Sequence, residues 1–180
     1  MTTTARPTRT TTWRADLVHS TIGFAVTHMV VATFRGRFER YDVTLVERDG
    51  GLAMAGSADA SSIVVKDPDL AEHLRSPEFF DAAAHPLLRF ASTAIEVGAG
   101  GALVLDGALT VNGLTRDVRA TGSSRGPVED PFGAIRRGME LEALIDRRDY
   151  GLDWNLPLPR GGLALDNEVR LLVDLEFTRL

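Results

Sequence analysis

The sequence predicts an all-β fold of about eight antiparallel strands closed into a barrel, with one helical insertion near residues 67–82. Apolar and polar residues alternate at two-residue spacing in most segments, which is typical of strands with one buried face. Turn residues join these segments as hairpins, and no strand–helix–strand rhythm indicates a parallel sheet. A single sheet with one polar, solvent-exposed face must curl to bury its apolar face. About eight strands make a closed barrel that either fills with side chains or holds one small ligand.

The stretch from 13 to 38 carries the clearest strand of the chain. After the turn-like segment 16–20, mostly apolar residues recur at strict two-residue spacing, which indicates a strand with one apolar face. A short turn over 29–33 then leads to a long strand over 34–47. The apolar phase of that strand changes between Phe38 and Tyr41, which predicts a bulge or a strong bend. The residues of the first strand face are Ile22, Phe24, Val26 and His28.

The middle of the chain combines small residues with the helical insertion. Asp49-Gly50-Gly51 predicts a hairpin turn into a strand of small residues over 52–60, which leaves room inside a barrel. Asp67 is a suitable N-cap and Pro68 a suitable first helical residue, while Ser76-Pro77 ends the helix. Paired aromatic residues are rarely exposed, so we expect Phe79 and Phe80 to pack onto the strands.

The remaining chain continues as strands. A strand over 88–97 is followed by a turn over 98–101 and a strand over 103–111. Asn112-Gly113 is the strongest hairpin signal of the sequence. The chain returns over 115–122, and the polar composition of 123–131 favours a loop. Strands are expected over 132–146, with Met139 and Leu141 on the apolar side, and over 168–178, with an irregular segment between them.

Composition limits the organisation and the partners of the chain. The 180 residues suit one domain: we expect a disordered Thr-rich tail over 1–12 and the barrel domain over 13–180. A formal net charge of -5 with interspersed signs argues against a nucleic-acid partner. We see no signal peptide and no segment of about 20 apolar residues, so the sequence predicts a soluble, cytoplasmic protein without an integral membrane segment.

The sequence contains no motif that is typical of a catalytic, metal-binding or cofactor-binding site. There are no cysteines, which excludes disulfides and thiolate chemistry. The four histidines match no compact metal-binding spacing, so we expect no metal. His19 and Ser20 are adjacent on an extended chain and would point to opposite faces, which makes them a poor base and nucleophile pair. No phosphate-loop, nucleophile-elbow or dinucleotide motif occurs, so no cofactor and no catalytic residue is predicted.

The inward faces of the predicted strands form an apolar lining. A filled core and an open cavity both fit this pattern, and periodicity does not decide between them. The residues expected to face inward are Ile22, Phe24, Val26, Phe38, Phe90, Met139 and Leu141.

Six blocks in the sequence together resemble the YceI-like family. They occur in family order and extend the resemblance over essentially all of 13–180. The blocks are D-x-x-HS-x-I-x-F-x-V-x-H-M at 16–29, RG-x-F at 35–38, HLRSPEFFDAAAHP at 73–86, RFAST at 89–93, LT-x-NG-x-T at 109–115 and DRRDYGLDWN at 146–155.

This resemblance implies an extended, lipocalin-like barrel that binds a long isoprenoid or similar amphiphilic lipid, with the polar head at the mouth. The protein would then be a carrier, storage or sequestering protein. An enzyme or stress-response protein acting on a bound isoprenoid or quinone-like ligand is the alternative. With the resemblance, His28 and Phe80 join the seven expected lining residues. His19, Arg37 and Arg147 are the head-group candidates, and the resemblance also implies a homodimer through an exposed strand edge.

Overall fold

Eleven strands of the chain form one continuous antiparallel sheet. The computed structural model describes residues 10–180, and residues 1–9 of the expected tail lie outside this range. Strand β1 begins at Thr10, three residues before the expected start of the domain. The strands are β1 Thr10–Ala15, β2 Thr21–His28, β3 Ala32–Phe38, β4 Tyr41–Arg48, β5 Gly51–Asp59, β6 Ile63–Val64, β7 Leu87–Val97, β8 Ala102–Val111, β9 Leu114–Glu129, β10 Ile135–Asp146 and β11 Leu165–Arg179.

The sheet closes into a barrel of eight strands, as the sequence predicts. The order β1-β4-β5-β7-β8-β9-β10-β11 returns to its start because β11 also pairs with β1. The strands β2, β3 and β6 continue the same wall beside β11 in the other half of the barrel. Three of the eight positions therefore hold a strand in two pieces: β1 with β2, β3 with β4, and β5 with β6.

Short breaks separate the two pieces of each interrupted strand. The predicted bend between Phe38 and Tyr41 is confirmed, since β3 ends and β4 begins at these residues. The hydroxyl of Tyr41 donates to the carbonyl oxygen of Ser20 at 2.7 Å, which ties this break to the break between β1 and β2. The 3-10 turn Ala60–Ser62 interrupts the third strand, and Ser62 Oγ accepts from the Arg40 amide at 3.0 Å.

The helical insertion lies at one end of the barrel, here called the helix end. Helix α1 spans Pro68–Arg75, and its cap is the predicted one: Asp67 accepts a hydrogen bond from the Leu70 amide at 2.9 Å. Phe79 and Phe80 in the turns after α1 are buried, as expected from the aromatic pair. The turns 29–31 and 112–113 and the segment 147–164 lie at this same end because consecutive strands are antiparallel. No helix in the described part of the chain is long and apolar enough to cross a membrane.

Two groups of buried side chains fill the barrel. The group at the opposite end, here called the far end, includes Trp13, Leu45 and Phe177, which are at most 2% exposed. The group at the helix end is rich in aromatic residues: the rings of Phe38 and Phe80 meet edge to face with centroids 5.6 Å apart. The barrel is therefore packed at both ends, and the space between them is the candidate site.

One segment differs from its expected structure. The polar stretch 123–131 was expected to be a loop, but β9 runs from Leu114 to Glu129 and pairs with both β8 and β10. β8 pairs with β9 only as far as Ser123, and β10 continues the pairing to Glu129, so the outer half of β9 forms although it is exposed on both faces. The next strand begins at Ile135 rather than at residue 132, and Phe132 is an exposed turn residue.

Candidate functional site

A cavity of about 210 Å³ lies inside the barrel between the two packed ends. Its wall is almost entirely hydrocarbon. Ser57, Arg89, Arg147 and Tyr150 are the lining residues with a polar side chain, and Ser57 and Arg89 also border a groove on the outer surface. The apolar lining residues are Ile22, Phe24, Phe38, Val43, Met54, Ala58, Phe79, Phe80, Leu88, Phe90, Leu105, Leu109, Val111, Val118, Ala120, Leu141, Ala143, Ile145, Leu152, Val169, Leu171, Val173 and Leu175.

Small residues at inward positions make the space. Ala58, Ala120 and Ala143 lie on three different strands, and each is buried and lines the cavity. A larger side chain at any of these positions would enter the cavity. Ala58 lies on the small-residue strand over 52–60, which was expected to leave room inside the barrel. The cavity volume falls below the roughly 300–1,000 Å³ of drug-sized ligand pockets.

Arg147 is a buried cation at the helix end of the cavity. It is 4% exposed, and backbone carbonyls accept most of its hydrogen bonds: Asp166 from Nε at 2.9 Å, Trp154 from Nη1 at 3.0 Å, and Leu152 also from Nη1. Desolvation lowers the pKa of this guanidinium, although an arginine stays charged in proteins. These bonds join the 3-10 turn Arg147–Tyr150 to the chain that leads into β11, so the side chain organises the helix end.

Tyr150 lies in the wall three residues after Arg147. It is 1% exposed, and its buried hydroxyl has no hydrogen-bond partner among residues 10–180. Desolvation, with a smaller contribution from the charge of Asp149, raises the pKa of Tyr150 to about 12. The phenol is therefore neutral at ordinary pH and acts as part of the wall.

A charged cluster outside the cavity joins the first break of the barrel to β11. Ligand atoms of Asp16, His19 and Glu176 lie within 4.8 Å of one another, which is close enough for a metal ion. However, Arg136 Nη1 lies 2.9 Å from Asp16 Oδ2 and also donates to Glu176, so a cation already occupies the centre. Arg136 also donates to Asp130. The arrangement is therefore an ion-pair network, and a second cation would have to displace the guanidinium.

The family model for the YceI-like domain matches residues 13–177. The chain belongs to the YceI-like family. Among its relatives, the UPF0312 protein SERP2314 of Staphylococcus epidermidis is 30% identical over 178 residues, covering 93% of this chain and 98% of that protein. The UPF0312 protein SAS2572 of Staphylococcus aureus is 28% identical over 176 residues, with the same coverage of both chains.

Solved structures share the fold at low sequence identity. BcnA of Burkholderia cenocepacia superposes with a TM-score of 0.76 and 17% identity, covering 90% of this chain and 98% of that chain. A polyisoprenoid binding domain of Saccharophagus degradans, described as implicated in plant cell wall breakdown, gives a TM-score of 0.65 and 13% identity over 92% and 97% of the two chains. The YceI-like barrel is thus established for the described chain.

Most of the expected lining residues of this YceI-like barrel do border the cavity. Ile22 and Phe24 on β2 face it together with Phe38 from the neighbouring strand. Phe24 is central to the aromatic group, with its ring centroid 6.3 Å from that of Phe38 and 6.2 Å from that of Phe80. Phe80, Phe90 and Leu141 complete the set of expected residues that line the cavity.

Three expected lining residues lie outside the cavity. Val26 is buried beyond Phe24, towards the turn at the helix end. Met139 is 1% exposed, packs in the far-end group and does not line the cavity. His28 is exposed because β2 ends there, so the two-residue alternation places it past the edge of the barrel interior.

The three head-group candidates occupy different environments. His19 is exposed in the charged cluster on the outside of the barrel. Arg37 is also exposed and pairs with Glu39 at 3.1 Å. Only Arg147 among the three lines the cavity. The sequence reasoning missed Tyr150, Phe79 and Leu152 as lining residues, although all three lie in the blocks that carry the family resemblance.

Proposed function

We propose that the chain binds a long, slender apolar lipid of the isoprenoid class in the barrel cavity and serves as its carrier, store or sequestering protein. The observation that carries this proposal is the barrel cavity with its nearly all-hydrocarbon wall. Burial of apolar surface is favourable by roughly 25 cal/mol per Å², and it needs no directional contact. A hydrocarbon chain that enters the cavity leaves water without leaving polar groups unpaired.

The shape and the relatives of the barrel support a chain-like ligand. The cavity extends from Met54, Leu105 and Leu175 towards the far end to Phe79 and Leu152 at the helix end, so it follows the barrel axis. The name of the Saccharophagus degradans domain describes polyisoprenoid binding, and its fold is the same. An isoprenoid is a branched hydrocarbon chain of this form.

The disposition of polar groups favours binding over catalysis. The alternative function, an enzyme acting on a bound isoprenoid or quinone-like ligand, would use His19 or His28 as the base. Both histidines are exposed and outside the cavity. Inside it, Arg147 is hydrogen-bonded to backbone carbonyls and the Tyr150 phenol has a raised pKa, so neither is a suitable general base at neutral pH.

A matched pair of tryptophan substitutions on β5 tests the proposal. Ala58 faces the cavity, whereas Ala53 is an exposed residue on the same strand. We expect the wild-type protein and Ala53→Trp to take up one added polyprenol per chain, measured by native mass spectrometry. Ala58→Trp should lose most of that uptake while staying folded by circular dichroism. Equal uptake by both variants would place the lipid outside the cavity and overturn the proposal.

A further inference from the structure

An apolar surface is exposed at the helix end of the barrel, where the turn between β2 and β3 lies beside the loop that precedes β11. The Met29 amide donates to the carbonyl oxygen of Ala164 at 2.7 Å, which joins the two segments. Pro157 and Leu163 pair as an antiparallel bridge, so the loop folds back on itself. Five large apolar side chains of these segments are between 38% and 85% exposed, and together they are called the apolar tip: Met29, Val30, Val31, Leu156 and Leu163.

The residues of the turn do not suit its backbone conformation. Met29 has a φ of 52° and Val30 a φ of 64°. Turn positions with a positive φ favour glycine, asparagine and aspartate, and they disfavour a β-branched residue. The side chain of Val30 is 71% exposed, so packing within the barrel does not offset this cost. Strained positions of this kind occur at functional sites, and exposed apolar residues at such a position indicate a contact outside the barrel.

The segments that form the apolar tip carry only positive charge. Residues 17–38 and 154–165 contain no aspartate or glutamate, although the whole chain has 25 acidic residues and a formal net charge of -5. His28, Arg35 and Arg160 are exposed in these two segments. Neither arginine forms an ion pair with a carboxylate within residues 10–180. The surroundings of the tip therefore complement a negatively charged partner.

Several acidic side chains at the helix end have cations of their own. Asp153 and Asp166 border the loop, and both interact electrostatically with the buried guanidinium of Arg147. In and beside α1, the ion pairs are Glu72 with Arg75 and Glu78 with His73. The positive charge near the tip is thus left without these carboxylates as partners.

Aromatic side chains connect the apolar tip to the cavity. Phe34 on β3 is half-buried and pairs in register with Val26 on β2. The ring centroid of Phe34 lies 6.1 Å from that of Phe24, which lines the cavity. An apolar path therefore leads from the tip past Phe34 to the cavity wall.

We propose that the apolar tip docks onto an anionic lipid bilayer, with Val30 and Val31 entering the interface and the nearby cations at the level of the lipid head groups. Insertion of apolar side chains together with attraction to anionic lipids holds proteins at membrane surfaces. Docking requires no ligand in the cavity, so it goes beyond the proposed function. Collection of a prenyl lipid from the docked bilayer does rest on that function, and the docked orientation turns the helix end of the cavity towards the membrane.

Sedimentation with vesicles tests the docking surface without any prenyl lipid. The vesicles contain either phosphatidylcholine alone or equal parts of phosphatidylcholine and phosphatidylglycerol. We expect the wild type to bind the anionic vesicles, and the double variant Val30→Asn with Val31→Asn to bind them about tenfold more weakly. Asparagine tolerates a positive φ, so this variant keeps its fold. Arg160→Gln should weaken binding about fivefold on anionic vesicles and leave binding to phosphatidylcholine unchanged.

Phe132 provides the matched control at the opposite end of the barrel. It is 95% exposed in the turn between β9 and β10, so Phe132→Asn removes an exposed apolar side chain outside the tip. This variant should bind vesicles as the wild type does. Equal vesicle binding by the wild type and the double variant, or no binding by the wild type, overturns the inference. A wild-type dimer in size-exclusion chromatography that the double variant loses, without vesicle binding, assigns the tip to a second copy of the chain and also overturns it.

Uptake of polyprenol separates this inference from the proposed function. Polyprenol added from ethanol reaches the cavity without a bilayer, so the double variant should bind as much of it as the wild type, measured by native mass spectrometry. Transfer of polyprenol from anionic vesicles should be slower for the double variant. Equal transfer rates overturn the role of the tip in lipid collection, whereas no uptake from ethanol by the wild type overturns the proposed function and leaves the sedimentation result to decide on docking.

Discussion

Arg147 donates from Nε to the carbonyl oxygen of Asp166 at 2.9 Å, which joins the turn after β10 to the start of β11. The same guanidinium also holds the carbonyls of Leu152 and Trp154. The irregular segment between the last two strands is therefore organised around one buried cation, and this segment closes the helix end of the cavity.

Replacing Arg147 should destabilise the fold strongly. Arg147→Met leaves three backbone carbonyls without their donor, so we expect the free energy of unfolding to fall by about 3 kcal/mol. The adjacent Arg148 is exposed and pairs with Asp146, so Arg148→Met should leave the free energy of unfolding close to that of the wild type. Urea unfolding of both variants measures the difference, and equal losses would remove the organising role of Arg147.

The charged cluster at the first break should make stability depend on pH. The hydrogen bond to Asp16 raises the pKa of His19, so the protonated form of His19 is favoured by folding. Its contribution is complete below pH about 6.5, the unfolded pKa, and is lost as the pH rises through the higher folded value. The stability difference between wild type and His19→Gln should therefore be larger at pH 5.5 than at pH 9.

Asp16 should make the free energy of unfolding fall as the pH is lowered, opposite to the effect of His19. Its hydrogen bond with His19 is the largest cause that lowers the pKa of Asp16 to about 2. A carboxylate with a lowered pKa stabilises the fold above about pH 4 and loses this contribution as the pH falls towards 2. Urea unfolding of Asp16→Asn and wild type at pH 6 and pH 2.5 measures this loss. A difference that stays constant between these pH values would contradict the assigned ion pairs.

Gly107 on β8 should be intolerant of a side chain. A Cβ there would lie 2.4 Å from Phe90 Cζ and 2.6 Å from the carbonyl oxygen of Ala91. Since the backbone oxygen is fixed by the sheet, Gly107→Ala should cost about 1–3 kcal/mol of unfolding free energy. The matched change Gly138→Ala has its nearest neighbour at 4.0 Å and should stay within about 0.5 kcal/mol of wild type. Thermal unfolding of the pair provides the comparison.

The turn between β2 and β3 holds an unfavourable backbone conformation. Val30 has a φ of 64° and is 71% exposed, and a β-branched residue is rare in the left-handed region. Val30→Asn should raise the free energy of unfolding by about 1 kcal/mol, because asparagine tolerates this conformation. Val31 is 85% exposed without a positive φ, so Val31→Asn should change little. A gain in both variants would point to removal of surface hydrophobicity instead of backbone strain.

The barrel was predictable from sequence because inward residues alternate so regularly on β2, β10 and β11. The cavity was not predictable, since periodicity cannot tell whether facing side chains touch. The outer half of β9 was not predictable, because both its faces are exposed and only β10 holds it through backbone pairing.

The most direct test is the native mass of the protein purified from its own host, followed by organic extraction of any bound molecule. The proposed function predicts a mass increment of one prenyl lipid per chain. A mass equal to that of the bare chain, with no uptake of added polyprenyl lipids, would contradict the assignment of the cavity as a lipid site.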